Sequence, residues 1–183
     1  MCGIVGITSS KNVSASILNS LRKLEYRGYD SAGIATLESG IIKEVKCEGR
    51  VDALENNLSK QKIDGNVGIG HVRWATHGVP NTVNAHPHSS DKVSVVHNGI
   101  IENSTILKKL LIKKGYVFKS QTDTEVIVHL ITDYLKKNNL KNSIIKMLKR
   151  VHGSFALGIV FQDEPDLIVG ARRGSPLAVG YGP

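Results

Sequence analysis

Residues 1–7 read MCGIVGI, a cysteine directly behind the initiator methionine, then glycine, then a short apolar run. Two interpretations stand. In the ordinary one, Cys2 is a small residue at a frayed end, and Ile4, Val5 and Ile7 form an edge strand. In the chemical one, Met1 is trimmed and Cys2 carries a free α-amine beside its own thiol, so that one residue supplies both nucleophile and base. A terminal amine titrates near ~8, against ~10.4 for a lysine amine, so at neutral pH a useful fraction is unprotonated. An amine tethered to its own nucleophilic side chain needs no separate histidine. Such a site also needs room behind the sulfur, which Gly3, lacking a side chain, is expected to leave for substrate.

The rest of the chain narrows the setting. With 183 residues, 40% of them apolar, residues 1–183 suffice for one domain with a real core, and no repeat, low-complexity tract or linker divides them. No run of eighteen apolar residues and no basic-then-apolar leader occurs, so the expectation is a cytoplasmic chain with no membrane partner. Cys2 and Cys47 cannot build a disulfide framework, and a reducing compartment keeps both as thiols. Cys47 lies in the alternating stretch IIKEVKCEG and is expected to be structural. The net charge of +8 raises a nucleic-acid interface, but the lysines fall in pairs, such as Lys108-Lys109, Lys113-Lys114 and Lys136-Lys137, on the solvent faces of amphipathic helices. Few aromatics lie between them to stack bases, so no nucleic-acid partner is expected.

Local patterns predict the elements. NVSASILNSLRKLEYRG has Val13, Ile17, Leu18, Leu21 and Leu24 at helical spacing behind an Asn or Ser cap, and it ends at Gly28. AGIATLE and IIKEVKC, separated by Ser39-Gly40, read as a hairpin. VDALENNLSK is a short helix, DGNVGIGHVRWA runs from a turn into a strand, and THGVPNTVNAHPHSSDK is a long loop. VSVVHNGI is a strand expected to turn at Asn98-Gly99, and ENSTILKKLLIKKG is a helix. Thr122 and Glu125 have capping-box spacing, which puts Asp123 in the first turn of the next helix. LKNSIIKMLKRVHG is a further helix, followed by a strand, a turn at residues 163–166, a strand and the start of a third strand. Hairpin strands with the helices in a block favour α+β with antiparallel sheets over alternating βαβ units.

Several side chains fit the chemistry of an amide-cleaving thiol. Attack on an amide carbonyl makes a negative oxygen, and one well-aimed donor stabilises it by roughly 3 to 4 kcal/mol. Asn98 through its side-chain amide and Gly99 through its backbone N–H are candidates, although Asn-Gly is also an ordinary turn dipeptide. An amino-acid substrate needs a fixed cation and a fixed anion. Arg73 has a fork suited to a carboxylate, and Asp123 can receive an ammonium, although each is also an ordinary salt-bridge or helix-start residue. Trp74 either covers the substrate or fills the core. His71, His77, His86, His88 and His97 cluster in sequence, but no carboxylate or thiol follows at ligand spacing, so no metal is expected. The glycines of GIG at 68–70 lack a third at dinucleotide spacing, so no nucleotide fingerprint is present.

Taken together, MCGIVGI, LEYRGYDSAGIA, GIGHVRWATHG, NAHPH, VVHNGIIEN and TDTEV resemble the N-terminal-nucleophile amidotransferases. The likeness runs from Cys2 to the last residue, and within that class it points to the glutaminase half of the glutamine–fructose-6-phosphate aminotransferases. The resemblance implies a four-layer αββα sandwich of two antiparallel sheets. It implies Cys2 as nucleophile and base, Asn98 and Gly99 as oxyanion hole, and Arg27 as the residue orienting the Cys2 terminus. Arg73 and Asp123 become clamps on the carboxylate and ammonium of L-glutamine, and Trp74, Thr76 and His77 a substrate-covering loop. The implied chemistry is hydrolysis of the glutamine side-chain amide through a γ-glutamyl thioester, with no metal or organic cofactor. In that family the ammonia passes to a sugar isomerase domain acting on fructose 6-phosphate. Family chains continue beyond the counterpart of SPLAVGYGP, so the sheets are expected to be incomplete here and the isomerase domain absent. A homodimer is compatible with the sequence, and so is a non-catalytic remnant that only binds glutamine.

Overall fold

A computed structural model describes residues 2–75 and 78–182. The first half builds one sheet with two helices. β1 (Gly3–Thr8), α1 (Ser14–Leu24), a 3-10 turn (Glu25–Arg27), β2 (Ser31–Glu38), β3 (Ile41–Glu48), α2 (Val51–Lys60) and β4 (Val67–Arg73) follow in order. The second half is β5 (His88–Ser89), β6 (Val93–Ile101), α3 (Ser104–Lys113), α4 (Glu125–Leu135), α5 (Leu140–Arg150), β7 (Gly153–Phe161) and β8 (Ile168–Arg173). The strand orders are β1-β4-β2-β3 and β5-β6-β7-β8, with every pairing antiparallel. This is the expected α+β class.

Alternation along each strand divides the core into three layers. On β2, Ala32 and Ile34 face Ile17 and Leu21 of α1 and Leu54 of α2, whereas Ala35 and Leu37 face the other sheet. Val67 and Ile69 of β4 meet Val96 of β6 and Val160 of β7 between the sheets. Val93, Val95, Phe155 and Leu157 turn outward to pack under Leu107, Ile127, Ile131 and Met147 of α3, α4 and α5. The layers are therefore helices, sheet, sheet, helices. The GIG stretch has a packing role in this arrangement, because a Cβ on Gly70 would lie 2.4 Å from Ile17 Cγ2, so the glycine lets α1 settle onto β4. The Ser39-Gly40 hairpin forms as its turn chemistry requires, with φ of 51° and 81°.

Four local expectations are corrected. Asn98-Gly99 is no turn: β6 continues through both, opposite Ala156 and Phe155 of β7. Asp123 does not sit in a helical turn, because α4 begins at Glu125 and no capping box forms. The Glu125 carboxylate instead accepts the backbone N–H groups of Lys119 and Ser120 at 2.8 and 2.7 Å. Among the described residues, no strand follows β8. Gly3 makes room not for substrate but for the core, since a Cβ there would lie 2.8 Å from Leu24 Cβ and 2.9 Å from Val72 Cγ2.

Candidate active site

Strand register brings the chemistry together. Gly3 pairs with Val72, so Cys2 lies level with Arg73 where β1 and β4 end. The thiol is bracketed by one backbone residue: Cys2 Sγ donates to the Trp74 carbonyl at 3.6 Å and accepts from the Trp74 N–H at 3.4 Å. Arg27, at the end of the 3-10 turn, donates from Nε to the Cys2 carbonyl at 3.2 Å. Burial pushes the Cys2 thiol up, against the lowering effect of the Trp74 N–H and Arg73. A preformed thiolate is therefore not the resting state, and attack by this sulfur would need a base.

Arg73 is buried, with 3% of its surface exposed. Its fork spans two carbonyls, Nη2 donating to Gly78 at 3.2 Å and Nη1 to Val79 at 3.4 Å, and Nη1 lies 3.8 Å from Asp30. Asp30, which the sequence patterns did not single out, ties this corner together. Its N–H donates to the Arg73 carbonyl at 3.1 Å and its carboxylate accepts the Ala75 N–H. The only local clue was its position directly before the strand residues SAGIA. Gly28 completes the corner, because a Cβ there would lie 2.5 Å from the Arg73 carbonyl carbon.

The second sheet meets this corner at β6. His71 Nε2, two residues before Arg73, lies 2.9 Å from the carbonyl of His97, the residue before Asn98. This contact ties β4, which ends at Arg73, to the middle of β6, which carries Asn98, across the sheet interface. Gly99 takes φ of 138°, and a Cβ there would lie 2.1 Å from the Ser154 carbonyl oxygen, so only glycine fits. Asp123 accepts the Ile101 N–H at 2.7 Å, and its other oxygen lies 3.8 Å from His97 Nδ1. Trp74 does not fill the core: it is 47% exposed beside Cys2, edge-on to Tyr29 at 5.5 Å. Thr76 and His77 lie outside the described residues.

His71, His86, His88 and His97 form a buried polar cluster with Thr122 and Thr124. Thr124 Oγ1 contacts His86 Nε2 at 2.8 Å and His97 Nδ1 at 2.9 Å, and Thr122 Oγ1 contacts His88 Nε2 at 3.0 Å. His71 stacks on His86 with ring centroids 4.1 Å apart. Burial pushes His71 and His88 down to about 3, so the rings are neutral. Among the described residues no group of three or more His, Cys, Asp or Glu is arranged to hold a metal ion. No helix among them is long and apolar enough to cross a membrane.

Comparison with known proteins agrees with this architecture. Residues 71–180 match the family described as "Glutamine amidotransferase domain". The chain is 55% identical over 184 residues to the glutamine--fructose-6-phosphate aminotransferase [isomerizing] of Mesorhizobium japonicum, covering 100% of this chain and 30% of that protein. It is 56% identical over 182 residues to the protein of the same name from Clostridium acetobutylicum, covering 98% and 30%. The chain thus spans about a third of the length of these curated relatives. Among solved structures, glutamine phosphoribosylpyrophosphate amidotransferase from B. subtilis superposes with a TM-score of 0.76 at 29% identity, covering 88% of this chain and 35% of that one. A glutamine aminotransferase class-II domain protein from Silicibacter pomeroyi shares the fold at 14% identity, with a TM-score of 0.57 over 96% and 78%. The sandwich is that of the N-terminal-nucleophile amidotransferases, and this chain belongs to the glutamine amidotransferase domain family.

Proposed function

We propose that this chain is a glutaminase domain that hydrolyses the side-chain amide of L-glutamine with Cys2 as nucleophile, and that in a longer protein the released ammonia serves synthesis of glucosamine 6-phosphate from fructose 6-phosphate on a sugar isomerase domain. The observation that carries it is the seating of the Cys2 sulfur between the N–H and carbonyl of Trp74, at the strand end it shares with Arg73. The cytoplasm suits the reaction, because reducing conditions keep the thiol free.

With Met1 removed, the Cys2 α-amine takes the thiol proton as sulfur bonds to the amide carbon. The carbonyl electrons move to oxygen, which the Asn98 side-chain amide and the Gly99 N–H stabilise. The C–N bond then breaks, ammonia departs with the proton returned by the α-ammonium, and a γ-glutamyl thioester remains. Water attacks the thioester through the same amine, releasing glutamate. Arg27 fixes the first residue through its carbonyl. Arg73 and Asp123 bind the substrate's α-carboxylate and α-ammonium. A carboxylate gives Arg73 a charged, two-pronged acceptor in place of its long bonds to Gly78 and Val79. Trp74 borders the bound substrate.

Mass analysis of the N-terminus together with ammonia release from glutamine tests the proposal. Trimmed protein should release ammonia and its Cys2→Ala variant should not. Glutamine binding without turnover by the trimmed protein would favour a binding module instead.

A further inference from the structure

β5 covers β6 only opposite Ser94 and Val95, and from there to Ile101 the second edge of β6 has no strand beside it among the described residues. Peptide groups along an antiparallel strand alternate between its two neighbours. The phase is fixed at both ends of β6. The Val93 carbonyl accepts from Ser90 on the β5 side, and the Ile101 N–H goes to Asp123. The Lys92 carbonyl and the Glu102 N–H instead serve Gln162 and His152 on the β7 side. The peptide groups of His97, Gly99 and Ile101 therefore face the uncovered edge. Two side chains from other elements occupy it in place of a strand: His71 Nε2 on the His97 carbonyl at 2.9 Å, and Asp123 Oδ2 on the Ile101 N–H at 2.7 Å. The Gly99 N–H lies between them.

We infer that His71 is a positioning residue for the oxyanion donors: by donating from Nε2 to the His97 carbonyl it fixes the peptide leading into Asn98, and with it the direction of the Asn98 amide and the Gly99 N–H. This rests on the role proposed above for Asn98 and Gly99. Asp123 anchors the far side of the same segment. Because the acceptor is a carbonyl, the proton of neutral His71 must sit on Nε2. Burial keeps the ring neutral, and stacking on His86 holds its plane. The chain closes on itself, since His86 meets Thr124 and Thr124 meets His97. The single Thr124 proton serves only one of those two rings, so the other must donate to the hydroxyl.

Two amide variants separate donation from packing. The side-chain nitrogen of glutamine reaches the place of Nε2, whereas that of asparagine reaches only that of Nδ1. In glutamine hydrolysis by trimmed protein, His71→Gln should keep kcat within about threefold. His71→Asn should lower kcat about tenfold or more with KM for glutamine unchanged, approaching part of the ~10²–10³-fold expected for loss of one oxyanion donor. Equal loss in both variants, failure of both to fold, or a change confined to KM overturns the inference, because each means that the ring packs rather than aims. Asn98→Ala is the control. If Asn98→Ala loses kcat while both His71 variants match the parent, the inference fails and the proposed function stands; if the parent releases no ammonia, the proposed function itself fails.

Discussion

Cys2, directly before β1, and Cys47, within β3, are carried by strands of the same sheet, and burial pushes both thiols up. Their neighbours differ. Cys47 is packed among Val45, Val51 and Leu54, with its sulfur 3.8 Å from the Arg50 carbonyl. Cys2 is half-buried at a strand end, within the fields of Arg73 and Asp30 and against the Trp74 N–H. Thiol acidity alone therefore does not separate a nucleophile from a core residue here. Position does, because Cys2 sits just ahead of the first residue of its strand, beside a backbone amine that trimming would free, whereas Cys47 lies within the edge strand β3.

The largest expected effect breaks the comparison directly. Cys2→Ala should lower ammonia release by more than about 10³-fold, the scale seen when a catalytic nucleophile is removed. Cys47→Ala should leave turnover within about twofold and cost ~1–2 kcal/mol in denaturant unfolding, from a small cavity. Equal activity losses would erase the distinction. Next, Asn98→Ala should lower kcat about 10²–10³-fold, at unchanged stability, if the Cys2 end holds an oxyanion site. A change in KM alone would instead assign Asn98 to substrate binding.

Gly99→Ala should act on both activity and folding. Its φ of 138° and the 2.1 Å approach to the Ser154 oxygen make any Cβ a clash, so a loss of about 2–3 kcal/mol in chemical denaturation is expected. A variant as stable as the parent would show that β6 relaxes freely there.

Acid should also distinguish the two ends of the molecule. His71 and His88 are held at about 3 in the fold against an ordinary 6.5, so the unfolded chain binds their protons first. The stability they contribute is complete above pH 6.5 and is lost progressively as pH falls toward 3. Glu125 has the same sign lower down. Burial would raise its pKa, but hydrogen bonds from His129, Ser120 and the Lys119 and Ser120 N–H groups outweigh it and hold the carboxyl at about 2. Its contribution is full above its ordinary 4.5 and is lost as pH falls toward 2. Amide exchange near pH 5 should therefore loosen β6 before β3. The reverse order would mean that the histidine cluster is not held neutral.

What was legible in the sequence was local. Ser39-Gly40 specified its hairpin because two residues with positive φ are enough to make one. The i+4 and i+3 spacings from Ile17 and Leu18 to Leu21 specified α1. Where the deciding partner lay far along the chain, local rules misled. Asn98-Gly99 looks like a turn until β7, more than fifty residues on, pairs with it. Thr122 and Glu125 look like a capping box, but the carboxylate is recruited by the backbone of Lys119 and Ser120. Gly3 reads as clearance for substrate, yet Leu24 and Val72 take the space. Cys2, Arg73, Asn98 and Asp123 were identified as a set through resemblance. Asp30 emerged as a support only once β2 and β4 were paired, and His71 only once the two sheets were placed face to face, because each acts through the backbone of a distant residue.

The most direct test is to quench trimmed protein with acid during glutamine turnover and map covalent adducts by peptide mass spectrometry. A γ-glutamyl group on the peptide beginning at Cys2, absent from Cys2→Ala, is the predicted result. Ammonia release that persists in Cys2→Ala, or an adduct on Cys47, would contradict the assignment of the nucleophile.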